Sequence, residues 1–266
     1  MPEPLDFSQR AELKEEMDAP CSYEELRRCL RHLAIVNRLT WAHQHTLRWL
    51  ERIPQLTTER RPFRLLDIGC GYGDMLRLIE RWAKKRNAHL ELVGADINPN
   101  CLRAAREATP ASSCIQWVLG DPRTTAKTQR ADLVVSCGVF HHLSEQDIIS
   151  MLEWMEGVAI LGWYITDLHR QPRPYQVFSA LMRGPWWQRF IRTDGLRSIR
   201  RSFRREDWQR MCTKAGIAVA EISIEECRPA RLCVGRVKRA PVERLAARDA
   251  AGVEPAASPV NCEQGR

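Results

Sequence analysis

The apolar positions of this chain change period along its length. From Ser22 the run SYEELRRCLRHLAIVNRLTWAHQHTLRWLERI places Leu26, Cys29, Leu30, Leu33, Val36 and Leu39 at helical spacing, giving a helix with one apolar face. Ser22 is its N-cap, and Glu25 three residues later completes a capping box. Residues 1–21 show no period and are expected to be mobile at their start. After a polar break, LTTERRP, runs rich in branched and aromatic residues begin: FRLLDI, ELVGADI, IQWVLG, DLVVSC and VAILGWYITDL. They alternate with the helical patterns DMLRLIERWAKKR, NPNCLRAAREAT and SEQDIISMLEWME. Such alternation predicts parallel strands joined by right-handed crossovers, a doubly wound α/β sheet covered on both faces.

The alternation breaks after Leu168. A stretch at 169–201 intervenes before SFRREDWQRMCTKAG, a helix with Ser202 as N-cap and Gly216 as its stop. IAVAEISI and RLCVGRVK then bring the strand count to seven, mostly parallel. Three regions follow: a helical N-terminal cap over 1–60, a ligand-binding α/β domain over 61–238, and a disordered tail over 239–266, where no period survives. Within the insert, Tyr175, Phe178, Leu181, Met182, Trp186, Trp187 and Phe190 carry more apolar surface than a solvent loop would. A lid over an apolar or aromatic small molecule accounts for them.

Composition narrows this picture. A chain of 266 residues can bury one sizeable core plus accessory segments. Its start is polar and acidic where a signal peptide would be basic and then apolar, and no run approaches the length of a membrane span. A cytoplasmic enzyme is the expectation. The ten cysteines form no CxxC pair and sit mostly in apolar runs, so they read as small buried hydrophobes, with no metal expected. Charge is concentrated: between residues 183 and 210 nine arginines face three acids, a local net of +6 in a chain of +8 overall. Such a patch attracts nucleic acid, an acidic membrane or an anionic substrate, or is a solvated face.

Residues 65–73 read LLDIGCGYG, with Gly69, Gly71 and Gly73 just past a strand. A dinucleotide site needs G-x-G-x-x-G, and the position for its last glycine holds Asp74, a carboxylate that would repel a pyrophosphate. No Gly-Lys-Ser/Thr follows either, which excludes a P-loop. A ligand without phosphate suits the loop better. Asp67, Asp96 in GADINP and Asp121 in VLGDP stand at three successive strand ends, where carboxylates can accept from hydroxyls and amines. S-adenosylmethionine, with its amino acid end, sulfonium, ribose and adenine, presents such groups.

LLDIGCGYGD, GADINP and SCGVFHHL together resemble the class I S-adenosylmethionine-dependent methyltransferases, and residues 64–168 carry most of the resemblance. It implies a Rossmann-like fold with Asp67, Gly69, Gly71 and Gly73 at the methionine end, Asp96 at the ribose, Asp121 at the adenine, and Cys70, Ile97 and Ser136 also at the cofactor. Histidine can accept a proton near neutral pH, so His142 and His141 are candidate bases for a hydroxyl acceptor, with Asp167 ranked below them. The N-terminal segment, DLHR and SFRREDW resemble small-molecule methyltransferases of specialised metabolism found beside type III polyketide synthases, which implies methylation of a phenolic or quinol oxygen. The rival reading is an RNA methyltransferase using residues 183–210, since arginines interleaved with tryptophans suit phosphate tracking and base stacking. Against it, SCGVFHHL lacks the Asn/Asp-Pro-Pro-aromatic tetrad that amino-directed enzymes carry.

Overall fold

The computed structural model describes residues 5–15, 19, 21–59, 61–125, 128, 130–181 and 189–238, with side chains omitted at 181 and 189–191. Three helices, α1 (Tyr23–Leu39), α2 (Gln44–Leu50) and α3 (Gln55–Thr58), precede the sheet. Then come β1 (Phe63–Ile68), α4 (Asp74–Arg86), β2 (Leu90–Asp96), α5 (Pro99–Glu107), β3 (Gln116–Leu119), β4 (Ala131–Cys137), α6 (Glu145–Val158) and β5 (Ala159–Leu168). The insert forms α7 (Pro172–Leu181) and α8 (Arg189–Arg201), followed by α9 (Arg205–Lys214), β6 (Ser223–Cys227) and β7 (Arg231–Val237). The seven strands lie in the order β3-β2-β1-β4-β5-β7-β6, parallel except for β7, which is antiparallel to both neighbours. Chain direction across the sheet reverses between β1 and β4, which opens a crevice at their carboxyl ends.

Side chains alternate between faces along each strand, and the two cores follow that alternation. Leu66, Ile68 and Val134 pack under α6 and α9 with Ile148, Leu152, Trp208 and Met211. Leu65, Leu133 and Val135 face the other way, onto Trp49, Leu50, Leu76 and Ile79 of α2 and α4. Both faces are covered, as the near-continuous apolar runs of β1 and β4 require.

The capping box at Ser22 and Glu25 is present, but the single long helix expected from residue 22 is two. Trp41 adopts a left-handed φ of 49°, with its N–H donating to the Arg38 carbonyl and that of Ala42 to the Asn37 carbonyl. This pair of bonds is a Schellman stop built without glycine. It turns α2 onto the sheet, where Trp49 stacks on Tyr164 at 5.2 Å; a straight helix would have carried Trp49 and Leu50 past it. Two further expectations shift. Ser202 does not cap α9: its hydroxyl donates to the Ile199 carbonyl at the end of α8, and Asp207 instead accepts the N–H of the N-cap residue Arg204. The strand expected at 217–224 lies at Ser223–Cys227, because buried Ile217 ends the turn after α9 and Val219–Glu221 form a 3₁₀ turn.

The start of the N-terminal segment, expected to be mobile, lies at residues 1–4 outside the described residues. Residues 5–15 are held by hydrogen bonds to and from other elements, not by a repeat of their own. Buried Arg170 donates to the carbonyls of Phe7, Ser8 and Ser202 and pairs with Asp207 at 2.8 Å. Arg10 donates to the carbonyls of His141, Leu143 and Arg201, and Ala11 N–H to that of Arg200. The segment is thereby sewn to the insert and to the loop after β4.

Within the insert, Tyr175 meets Phe7 edge-on at 5.5 Å, and Phe178 lies where a side chain on Gly195 would stand. Part of its apolar surface therefore joins α7 to α8 and to the N-terminal segment. Met182, Trp186 and Trp187, the Leu181 and Phe190 side chains, and the tail at 239–266 lie outside the described residues. Four arginines of the basic stretch are engaged within the chain. Arg197 binds Asp194, Arg201 binds Glu15, Arg205 donates to the Ile224 carbonyl, and Arg210 binds Glu145 and Asp207. Among the described residues no helix is long and apolar enough to cross a membrane.

Candidate active site

The glycine loop leaves β1 at the crevice and enters α4 through three left-handed residues, Gly69, Gly71 and Gly73, at φ 64°, 49° and 72°. At two of them a Cβ would have nowhere to go. One on Gly69 would stand 2.5 Å from the Val139 side chain of the loop after β4, and one on Gly73 would stand 2.3 Å from the Trp117 ring. Glycine thus lets the β1 and β4 loops approach each other closely.

Three acids surround the loop. Asp67 is fully buried with Oδ1 unpartnered, and burial raises its pKa well above the carboxylate range, with Asp74 and Asp96 adding to the rise. A buried, unpaired acceptor is costly unless a donor reaches it, and a cationic donor would also restore its charge. Asp96 is positioned by its own loop: Oδ2 accepts from Gly71 N–H at 3.0 Å and Oδ1 from Asn98 N–H at 2.9 Å. Burial raises its pKa as well. Beside it Ile97 is 75% exposed, an apolar platform at the mouth. Asp121 is placed differently, since Arg123 grips both its oxygens at 2.7 to 3.1 Å. Cys70 is buried in the core under the loop, and the Ser136 hydroxyl donates to the Ile68 carbonyl, tying β4 to β1.

Sequence reasoning missed His43. It enters from the α1–α2 turn, and Nε2 lies 2.7 Å from Asp74 Oδ2 at the start of α4. Burial opposes its charge, but the adjoining Cys137 sulfur and Asp74 raise its pKa from 6.5 to about 10. A group whose pKa rises on folding stabilises the folded state fully below its unfolded value and loses that contribution as pH climbs through the folded value. His43→Ala should therefore cost most at or below pH 6.5 and progressively less toward pH 10. Urea unfolding of both proteins across that range measures this, and a pH-independent difference would reject the charged pair.

The second cluster follows β4 in the 3₁₀ turn Phe140–His142. His141 is buried: Nδ1 lies 2.7 Å from Asp167 Oδ1, and its backbone N–H donates to Asp167 Oδ2. Burial works against ionisation of Asp167, but His141 and the Leu168 amide outweigh it and hold its pKa low. Asp167 thus stands as the orienter of His141, with both oxygens engaged. On the far side, Glu15 of the N-terminal segment faces both histidines, Oε1 at 3.8 Å from His141 Nε2 and Oε2 at 3.9 Å from His142 Nε2. Burial raises the pKa of Glu15. The His142 ring lies against that of His141, centroids 4.2 Å apart and planes tilted by 38°, and, alone among the four, its side chain keeps 31% exposure. Asp167, His141, Glu15 and His142 form a chain from the sheet to the surface. A separate cleft of about 760 Å³ between α1 and α4 touches the loop only at Tyr72 and Asp74 and includes neither Asp96 nor these histidines.

The fold is that of plantazolicin methyltransferase BpumL, whose crystal structure in complex with SAH and a triazolic desmethylPZN analog aligns with a TM-score of 0.59 at 14% identity, over 81% of this chain and 98% of that one. Residues 65–159, which hold the glycine loop, the strand-end acids and both histidines, match a family described as methyltransferase domain. These residues are similar to that methyltransferase domain, and the seven-stranded sheet that holds them has the Rossmann-like methyltransferase fold. Two curated relatives are similar to part of the chain. Trans-aconitate 2-methyltransferase of Streptomyces avermitilis is 34% identical over 114 residues, 41% of this chain and 39% of that protein. Demethylmenaquinone methyltransferase of Thermus thermophilus is 38% identical over 65 residues, 24% and 28% respectively. The likeness spans less than two fifths of the length of either relative.

Proposed function

We propose that the chain transfers a methyl group from S-adenosylmethionine to a small apolar or aromatic acceptor, through a phenolic or quinol oxygen. The observation that carries this reading is the buried, unpartnered oxygen of Asp67 beside a left-handed glycine loop at the point where strand order reverses. Asp67 suits a cationic amino group, Asp96 the ribose hydroxyls and Ile97 an aromatic base. Gly69, Gly71 and Gly73 allow the approach, and Cys70 and Ser136 hold the two loops together from below. Asp121 would serve the adenine amino group only in competition with Arg123. When bound, the cofactor supplies an electrophilic methyl on its sulfonium. The protein's part is alignment, exclusion of water and removal of the acceptor's proton.

His142 takes that proton in this reading, because it is the accessible end of the chain of groups. Glu15, His141 and Asp167 position it and share the charge. The N-terminal helices and the insert form the walls over the acceptor. The two relatives are named for small molecules, trans-aconitate and demethylmenaquinone, in keeping with a small acceptor. The RNA reading draws less support, since Arg197, Arg201, Arg205 and Arg210 are spent on contacts within the chain. Labelled S-adenosylmethionine offered with phenols, quinols and bulk RNA tests both: label should enter lipophilic products, and label confined to RNA would reverse the assignment.

A further inference from the structure

A second cluster lies away from the glycine loop, on the sheet face covered by α2. His45 of α2, Cys227 at the end of β6 and Cys233 of β7 bring their ligating atoms within 4.8 Å of one another. The two cysteines share one face of the hairpin, since Cys233 pairs with Glu225 and Cys227 with Arg231. His45 and Cys233 are buried, and Cys227 is half-buried. His45 Nε2 lies 3.2 Å from the Arg228 carbonyl oxygen. An N–H donated there leaves Nδ1 as a free lone pair, the arrangement in which metal-bound imidazoles are usually held.

We propose that His45, Cys227 and Cys233 bind a zinc ion. One imidazole and two thiolates form a soft N/S set of the kind that selects zinc, and three protein ligands leave the fourth tetrahedral corner to water. The charges balance. Zn²⁺ replaces two thiol protons, which leave to solvent, and the resulting site of two thiolates and a neutral imidazole carries no net charge, as its burial demands. Bound zinc would fasten the β6–β7 hairpin to α2. Since His43 stands two residues before His45, it would also fix the turn that brings His43 to Asp74.

The experiment is metal analysis of the whole chain purified without chelators, followed by replacement with Co²⁺. Stoichiometric zinc, and a thiolate-to-cobalt charge-transfer band of tetrahedral character, are expected. Both should be lost in Cys227→Ser and His45→Ala and kept in Cys212→Ala, a buried cysteine outside the cluster. Wild-type protein that is folded by circular dichroism, holds no zinc after dialysis against it and gives no thiolate band with Co²⁺ overturns the proposal. So does a Cys227–Cys233 disulfide in the intact mass of freshly purified, unreduced protein. Because the readout is metal and spectrum, the result stands independently of any methyl transfer.

Discussion

Asp96→Ala should weaken binding of S-adenosylmethionine by roughly 10- to 150-fold, the span set by losing charge-assisted hydrogen bonds of about 1.5–3 kcal/mol. The structure adds a reason for the upper end. Asp96 also fixes the Gly71 amide, so its removal loosens the loop as well as deleting the acceptor. Asp96→Asn keeps a carbonyl oxygen for Gly71 while removing the charge, and should fall between wild type and alanine. Asp121→Ala should cost less than either, because Arg123 already occupies that carboxylate. Titration calorimetry of the three variants gives the order directly. An Asp96→Ala protein with wild-type affinity would remove the ribose assignment and leave Asp96 as a loop brace only.

The parts of the molecule legible in sequence are those fixed by local backbone needs. Three glycines before a helix and acids at consecutive strand ends report left-handed φ values and a crevice, whatever else the chain does. Strand alternation reported the two-faced core for the same reason. Glu15 and His43, and the partners of Arg170, leave no mark in the sequence because each acts across a long separation on groups with no pattern of their own: Glu15 on His141, His43 on Asp74, Arg170 on Phe7 and Asp207. Residues 1–21 lack periodicity, and residues 5–15 are placed instead by Arg170 reaching in and Arg10 reaching out, contacts that hydrophobic periodicity does not register. The same limit hid the cysteine pair, whose members are neighbours only once β6 and β7 have paired.

His142→Ala should lower turnover by about 100-fold or more at neutral pH, the range typical of losing a positioned general base. The structure ranks the neighbouring changes. His141→Ala leaves His142 exposed but removes the ring packed against it and the link to Asp167, so it should be milder. Asp167→Asn keeps the shape and weakens the hold on His141, and should act in the same direction by less. Glu15→Gln is the informative control, for it preserves the hydrogen bond from the Ser198 hydroxyl while removing the charge that faces both histidines. A phenol of pKa near 10 ionises by itself as pH rises, so the defect of His142→Ala should shrink toward that value if the histidine removes the acceptor's proton. Turnover of wild type and variant with one phenolic acceptor, measured from neutral to alkaline pH, decides the role. A defect of constant size across that range would leave His142 with orientation only, and the proton would then leave the acceptor by another route.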